Sequence, residues 1–396
     1  MSSDRGSSTA PRRPPRLPFQ ERKSPLRGLL DLATLRYPPF LLGGPLLPGA
    51  LPVFHFHEVT AAALEPYLAY LSANHYAALT SDALSALVLR GVRPPKRSVV
   101  LTFDDAWLSF ATDALPLLRK YALPAILYVS PGRTPPDDRP GALFCSWPVL
   151  RSLRDSGFVD IQAHSFAHAR VFSHPAVLSF LSPADRFHPH DLPAVPSSPA
   201  DPASPLRLLA AADLGTPLRL ARSRLSSACQ WLAPEADDAC TAYVRAHGGP
   251  DFFSRPDWAA DLRRVLASAP PGRPETPAER DEAIYRDLLA SRRRLEDELS
   301  ASVTHMCFPW AVSSAPAIAA ARRAGFVTAC SDRLFGPHVA VHAPRHPFQI
   351  MRLKHQWLPS LPGTPRRFLS QNALPPASAG RQIRPLPLAE IPPLYP

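Results

Sequence analysis

Paired cysteines are missing from this chain of 396 residues. Its five cysteines lie far apart, and no two of them form a CxxC pair. An odd number of scattered cysteines argues against a disulfide-stabilised secreted scaffold and against a cysteine zinc site. We therefore expect the protein to work in a reducing compartment.

The chain also lacks a long uninterrupted apolar run. The apolar stretch at residues 28–51 contains Asp31, Arg36 and four prolines, which is not typical of a membrane-spanning helix. The residues before it are charged but are not followed by the apolar region of a secretory signal peptide. We expect no membrane span and a cytoplasmic location.

Lysine is scarce, with only four lysines among 44 basic residues, and the net charge of +11 comes mostly from arginine. A basic chain can bind nucleic acid. Here the arginines are scattered, and no basic run alternates with the aromatic residues that stack on bases. The sequence therefore predicts no nucleic-acid partner.

Proline is abundant, with 51 residues that cluster at both ends of the chain. We expect disordered proline-rich tails at 1–50 and 361–396. Between them, strand-like and helix-like segments alternate, which is typical of βα units in a parallel sheet or barrel. The alternation stops at 174–278, where a proline-rich loop is followed by amphipathic helical pieces. We interpret this part as a mainly helical insertion in one α/β domain that spans 51–360.

Two adjacent aspartates follow an apolar strand-like run in SVVLTFDDAW, residues 98–107. One interpretation is that Asp104 and Asp105 cap the next helix. The other is chemical, because polar residues at the carboxyl end of a parallel strand face the active-site mouth. There, one carboxylate can bind a cation while the other accepts a proton.

Two histidines follow another predicted strand, in the HSFAH pattern of FVDIQAHSFAHA. Four residues apart on a helical turn, His164 and His168 would point the same way and hold one metal ion. By itself such a pair is more often solvated or packed in a core. Together with Asp105 it forms a set of two histidines and one carboxylate that leaves positions open for water and substrate. Asp104 then stays free to act as the base.

Several segments resemble motifs of the polysaccharide deacetylase (NodB-homology) family of carbohydrate esterases. VVLTFDDAW is similar to the family's TFDDG motif, and HSFAH is similar to its H(S/T)xxH motif. LPVFHFHEV resembles the YHxV-like strand that opens one branch of the family, and HMCFPWAVSSAPAIAAARRAGF resembles a later FPYG…AGF segment. The resemblance covers about 51–173 and 300–355. It implies a deformed (β/α) barrel with about seven parallel strands.

The resemblance also implies a role for each matching residue. Asp104 is the general base, and Asp105, His164 and His168 bind one divalent metal ion whose bound water is the nucleophile. The first choice of metal is zinc, with cobalt, manganese or nickel as alternatives because no ligand is a cysteine. His57 protonates the leaving amine, although it can also be a hydrogen-bonded core histidine. The implied reaction removes N-acetyl groups from an amino-sugar polysaccharide or related glycan.

The sequence departs from the family pattern at two motif positions. Ala106 replaces the glycine of TFDDG, and Cys307 stands where the family has an arginine that orients the base. Arg345 is a candidate for that orienting role, with a surface or ion-pair arginine as the alternative. Trp310 and Trp107 can stack on a sugar ring, although buried packing is the more common role of tryptophan.

Three other functions remain open at this point. A hydrolase of the same fold that cleaves a non-carbohydrate amide or another C–N bond would use the same residues. A catalytically weak pseudoenzyme that binds glycan is suggested by Ala106 and the missing arginine. A basic interaction protein could use the proline- and arginine-rich ends, with the barrel as a scaffold.

Overall fold

The structure is a computed structural model that describes residues 38–198, 201–231, 233–331, 347–367 and 384–396. The strands in these ranges are, in chain order, β1 (Val53–Phe56), β2 (Ala77–Ala78), β3 (Ser98–Asp104), β4 (Ala125–Val129), β5 (Val159–Ala163), β6 (Arg170–Phe180), β7 (Arg186–Phe187), β8 (Ala194–Ser198), β9 (Asp201–Leu208), β10 (Pro217–Ser223), β11 (Gln230–Trp231), β12 (Arg273–Pro274), β13 (His305–Cys307), β14 (Thr328–Cys330), β15 (Leu353–Lys354) and β16 (Leu386–Pro387). The α-helices are α1 (Ala61–Ala73), α2 (Ser81–Arg90), α3 (Leu115–Lys120), α4 (Trp147–Asp155), α5 (Pro234–Ala246), α6 (Trp258–Ala267), α7 (Pro277–Leu299) and α8 (Ala315–Arg323).

The main sheet is parallel and has the strand order β14-β13-β5-β4-β3-β1-β15, with β2 paired to the start of β3. Its two edges are joined by one extended segment. Ile350 bridges to Cys330 of β14, while Leu353 pairs with Phe54 of β1. The sheet therefore closes into a deformed (β/α) barrel, and the prediction of about seven parallel strands is confirmed.

All seven residues of β3 are buried, as expected for a parallel strand covered on both faces. Val99, Leu101 and Phe103 pack in a large core with the surrounding helices. Val100 packs in a smaller core with Ile126 and other residues of neighbouring strands. Each fully buried side chain of this kind contributes about 1.5–3 kcal/mol. Because side chains alternate along a strand, Thr102 and Asp104 share the face of Val100.

The insertion is not mainly helical, which corrects that expectation. Its first half consists of two antiparallel ribbons, β6 with β10 and β8 with β9, and α5 and α6 follow. These elements share a separate apolar core that includes Phe180, Leu181, Phe252 and Leu262. Two-stranded ribbons have only edge strands, which tolerate prolines, so a proline-rich stretch that suggested a loop can form strands.

Parts of both proline-rich ends pack against the folded domain, in contrast to the expected disordered tails. Phe40 and Leu41 are buried in the barrel core. Near the other end, β16 pairs with β7, and Ile391 is buried in the core of the insertion. Apolar residues between the prolines provide these contacts. The remaining parts of the tails, 1–37 and 368–383, lie outside the described residues.

Among the helices of the described ranges, none combines the length and the apolar character needed to cross a bilayer.

Candidate metal and catalytic site

The two adjacent aspartates lie at the carboxyl end of β3, where the strand reaches the barrel mouth. Both are buried, at 2% exposure for Asp104 and 6% for Asp105. Neither caps the next helix, which begins at Leu108. Asp105 and Ala106 have φ values of 71° and 50°. A left-handed residue other than glycine costs roughly 1–2 kcal/mol, so the chain keeps this turn at the expense of some strain.

The HSFAH segment follows β5 as an irregular loop, so the predicted helical turn is wrong. Ser165 and His168 have φ values of 63° and 47°. The Ser165 hydroxyl accepts the N–H of His168 at 3.1 Å, and Asp287 of α7 accepts two successive loop N–H groups at 3.0 and 3.3 Å. These bonds fix the loop and bring the His164 and His168 rings to a centroid distance of 5.0 Å.

Asp105 and the two histidines form a compact cluster. Asp105 Oδ1 lies 3.5 Å from Nε2 of His164 and 3.3 Å from Nε2 of His168. Bonds from a metal ion to such ligands are ~2.0–2.2 Å long, so two neighbouring donors of one ion lie roughly 3–3.5 Å apart. Asp105 Oδ1 thus lies at a suitable separation from each of the two predicted histidine ligands.

The protonation of these groups also fits a cation. His164 Nδ1 lies 2.8 Å from the carbonyl oxygen of Cys307, and a carbonyl only accepts. Nδ1 therefore carries the proton, and the Nε2 lone pair faces Asp105. Burial lowers the pKa of His164 to about 4 and holds the pKa of His168 well below its usual range. Both imidazoles are therefore neutral at neutral pH, as metal ligands must be.

The protein compensates the Asp105 carboxylate only in part. Burial, and next the neighbouring Asp104 carboxylate, raise the pKa of Asp105 to about 8. Within the described ranges, Asp105 Oδ1 and His168 Nδ1 have no hydrogen-bond partner. A divalent cation would offset the cost of burying both carboxylates, so these residues fit the metal that the family resemblance implies.

Arg352, which precedes β15, binds the second carboxylate. Its Nη1 and Nη2 donate to the two oxygens of Asp104 at 2.6 and 2.7 Å, and Nη1 also lies 3.1 Å from Thr102 Oγ1. Burial alone would raise the pKa of Asp104, but the guanidinium and the nearby imidazoles hold that pKa far below its usual range. Asp104 is therefore an ionised carboxylate in a fixed orientation.

Arg352 thus supplies the contact for which the sequence suggested Arg345, which lies outside the described residues. No motif marked Arg352 in the sequence. It reaches Asp104 only because the barrel closes between β14 and β1.

His57 lies at the end of β1 on the rim of the mouth. Its Nε2 is 3.7 Å from Asp104 Oδ2, and its side chain is 53% exposed. Desolvation in the cleft lowers the pKa of His57, while Asp104 opposes this shift. The His55 ring lies 5.3 Å away on the same side of the strand. The structure therefore places His57 beside Asp104 and open to the barrel mouth.

The two tryptophans named from the sequence have different surroundings. Trp107 is buried at 3% exposure and packs on Phe144 with ring centroids 4.6 Å apart, which leaves no face for a sugar. Trp310 is half-buried beside the His168 ring at 4.3 Å, and the Arg170 guanidinium lies 4.1 Å from its ring centre. Only Trp310 lies at the rim of the site.

A fourth ionisable group, His190, approaches the cluster from the insertion. Its Nε2 lies 3.5 Å from Asp105 Oδ2. The ligand atoms of Asp105, His168 and His190 all lie within 4.8 Å of one another. The sequence around it, RFHPHDL, matches no motif, so nothing in the pattern indicated this position.

A family model described as polysaccharide deacetylase matches residues 91–185, the segment that carries both aspartates and both HSFAH histidines. In this segment, the chain is similar to the polysaccharide deacetylase family. Curated relatives include YxkH of Bacillus subtilis (strain 168), 27% identical over 90 residues, which are 21% of this chain and 32% of the relative. A poly-beta-1,6-N-acetyl-D-glucosamine N-deacetylase of Escherichia coli (strain K12) is 32% identical over 125 residues, 28% of this chain and 18% of the relative. The matched part spans less than a third of the length of either relative.

Two solved structures are similar to larger parts of the chain. A de-N-acetylase from Aggregatibacter actinomycetemcomitans is 16% identical, with a TM-score of 0.44, and the similarity covers 76% of this chain and 94% of that one. The BpsB deacetylase domain from Bordetella bronchiseptica is 17% identical, with a TM-score of 0.46 and coverage of 77% and 95%.

Proposed function

We propose that this protein is a metal-dependent hydrolase that removes N-acetyl groups from an amino-sugar polysaccharide. The observation that carries the proposal is the cluster of Asp105, His164 and His168 directly beside Asp104. The carboxylate of Asp104 thus lies outside the set of metal ligands and is bound by Arg352. A bound cation supplies positive charge that polarises the acyl carbonyl and lowers the pKa of water.

The protein's own groups divide the two proton transfers between them. Asp104 accepts a proton from the attacking water, whose oxygen forms the new bond to the acyl carbon. His57, 3.7 Å from Asp104 and open to the mouth, donates a proton to the leaving nitrogen as the C–N bond breaks. The products are acetate and a free amine. Arg352 keeps Asp104 ionised and aimed, which supplies the contact whose absence suggested a pseudoenzyme.

The substrate class rests on the family and on the relatives. The Escherichia coli relative is named as a deacetylase of poly-β-1,6-N-acetylglucosamine. An exposed acid beside Asp104 and a half-buried tryptophan beside His168 suit a substrate that extends beyond the reacting group. Non-carbohydrate amides have no such observation in their favour.

The test is acetate release by the metal-loaded protein from oligomers of N-acetylglucosamine with β-1,4 and β-1,6 linkages. We expect turnover by the wild type and a loss of about 10²–10⁴-fold in kcat for Asp104→Asn, which removes the base but no metal ligand. Asp185→Asn is the matched control, because this carboxylate bonds Ser182 within the insertion.

Metal content is measured on the same samples. No acetate release from any of these oligomers by a wild type that contains metal would refute the carbohydrate assignment. Simple acetamides would then be the next substrates to assay.

A further inference from the structure

We propose that His190 is a fourth protein ligand of the metal ion, supplied by the insertion and additional to Asp105, His164 and His168. This inference rests on the proposed function, because it requires that the cluster binds a cation. His190 lies between β7 and β8, far in sequence from both motifs, yet its Nε2 lies as close to Asp105 as that of His164, at 3.5 Å.

The surroundings of His190 leave its ring nitrogens without another function. The residue is only 3% exposed, and among the described residues neither Nδ1 nor Nε2 has a hydrogen-bond partner. Its ring packs edge-on against Trp107 and contacts Phe144, both at 5.3 Å. Burying an unpartnered polar group costs about 1–3 kcal/mol. A bond from Nε2 to the metal ion would offset this cost.

A single buried arginine bonds both of the loops that carry His168 and His190. Arg133, at 1% exposure, donates from Nε to the carbonyl of Ala167 and from Nη1 to the carbonyl of Pro189, both at 3.2 Å. These carbonyls belong to the residues directly before His168 and His190. One rigid guanidinium therefore fixes two histidine-bearing loops relative to each other, as preorganised ligand sets require.

The number of protein donors, four with His190, also limits which metal ion the site can accept. A tetrahedral zinc ion with four protein ligands has no position left for water or substrate. A hydrolytic site with three imidazoles and one carboxylate therefore suits an ion that takes five or six donors, such as cobalt, nickel or manganese.

The experiment counts imidazole ligands directly. Metal-free protein is loaded with Co²⁺, and X-ray absorption fine structure gives the number of coordinated imidazoles, while competition with a chelator gives the Kd. We expect three imidazoles for the wild type, and two for His190→Phe with a Kd at least about tenfold weaker. The phenylalanine keeps the aromatic contacts to Trp107 and Phe144. His174→Ala, an exposed histidine of the same insertion, is the control and should equal the wild type.

Two results would overturn the inference, and they differ in what else they refute. A wild type that binds Co²⁺ with two imidazoles, and a His190→Phe protein of unchanged Kd, would reject His190 as a ligand and leave the proposed hydrolase intact. A wild type that binds no Co²⁺ would reject both. If His190→Phe does not fold, the wild-type count of three or two imidazoles still decides.

Discussion

At the scale of single residues, the site depends on how Asp104 is compensated. A buried carboxylate that loses its cationic partner becomes an uncompensated charge in a poorly solvated place. The two hydrogen bonds from Arg352 therefore matter both for the stability of the barrel and for the ionisation of Asp104.

We predict that Arg352→Met lowers the free energy of unfolding by about 3–5 kcal/mol, because it leaves Asp104 buried and unpaired. Urea denaturation of the metal-free protein measures this change. Arg352→Lys is the matched control. It keeps the positive charge but not the two-bond geometry, and should lose less. Unchanged stability of the methionine variant would show that Asp104 finds compensation elsewhere.

His355 provides a pH-dependent prediction away from the metal ligands. Its ring stacks on Phe56 at 5.1 Å, and burial lowers the pKa of His355 to about 4 from its ordinary 6.5. Because the folded state binds this proton less tightly than the unfolded state, stability is full above pH 6.5 and falls as the pH drops towards 4.

The test compares thermal unfolding of wild type and His355→Phe at pH 7.5 and 4.5. Phenylalanine keeps the stacking and does not titrate, and all other acid-sensitive groups are common to both proteins. We expect the wild type to lose more stability on acidification than the variant. Equal losses would contradict the assignment of a depressed pKa to His355.

At the scale of secondary-structure elements, α7 supports the HSFAH loop. Asp287 accepts two loop N–H groups, at 3.0 and 3.3 Å, and burial raises its pKa to about 6. The carboxylate therefore contributes to the shape of the ligand loop without touching the metal ligands themselves.

We predict that Asp287→Ala weakens Co²⁺ binding by about 10–100-fold, the range typical of lost outer-shell support. The reason is that two loop N–H groups lose their acceptor and His168 is no longer held beside Asp105. Chelator competition gives the Kd. Asp281→Ala removes an exposed carboxylate from the same helix and should leave the Kd unchanged. The same affinity for both variants would mean that the loop holds its shape unaided.

An element could be predicted from the sequence when the residues that determine it are its close neighbours in the chain. Most of the barrel strands (β1, β3, β4, β5, β13 and β14) and α4 could be predicted because apolar runs and flanking glycine or proline mark them locally. The strands of the insertion were missed because prolines hide them, and the HSFAH loop was misjudged because Asp287 shapes it from 120 residues away. The motifs gave Asp105, His164 and His168, whereas Arg352 and His190 are brought to the site only by tertiary contacts.

At the scale of the whole molecule, the site lies at the junction of the barrel and the insertion. Trp310 belongs to the barrel. Arg170 is the first residue of β6, the strand that leads into the insertion, and its guanidinium lies 4.1 Å from the ring centre of Trp310. A substrate longer than one sugar unit would meet both parts at this junction.

We predict that Trp310→Ala raises the KM for an N-acetylglucosamine oligomer by up to about tenfold, since a lost stacking contact is worth roughly 0.5–1.5 kcal/mol. The kcat should change less, because the indole supplies no proton to the reaction. Steady-state acetate release measures both constants. Trp258→Ala, in α6 of the insertion, is the control and should keep the wild-type KM. A fall in kcat at constant KM would mean that Trp310 acts on the reaction rather than on binding.

The segment that closes the barrel also determines when the site can form during translation. Arg352 lies 248 residues after Asp104 in the chain. At a translation rate of about 5–20 residues per second, the aspartate precedes its arginine out of the ribosome by roughly 12–50 s. A nascent chain therefore carries Asp104 for that time without its arginine partner. Asp104 is paired only once the segment that joins the two edges of the sheet has been made.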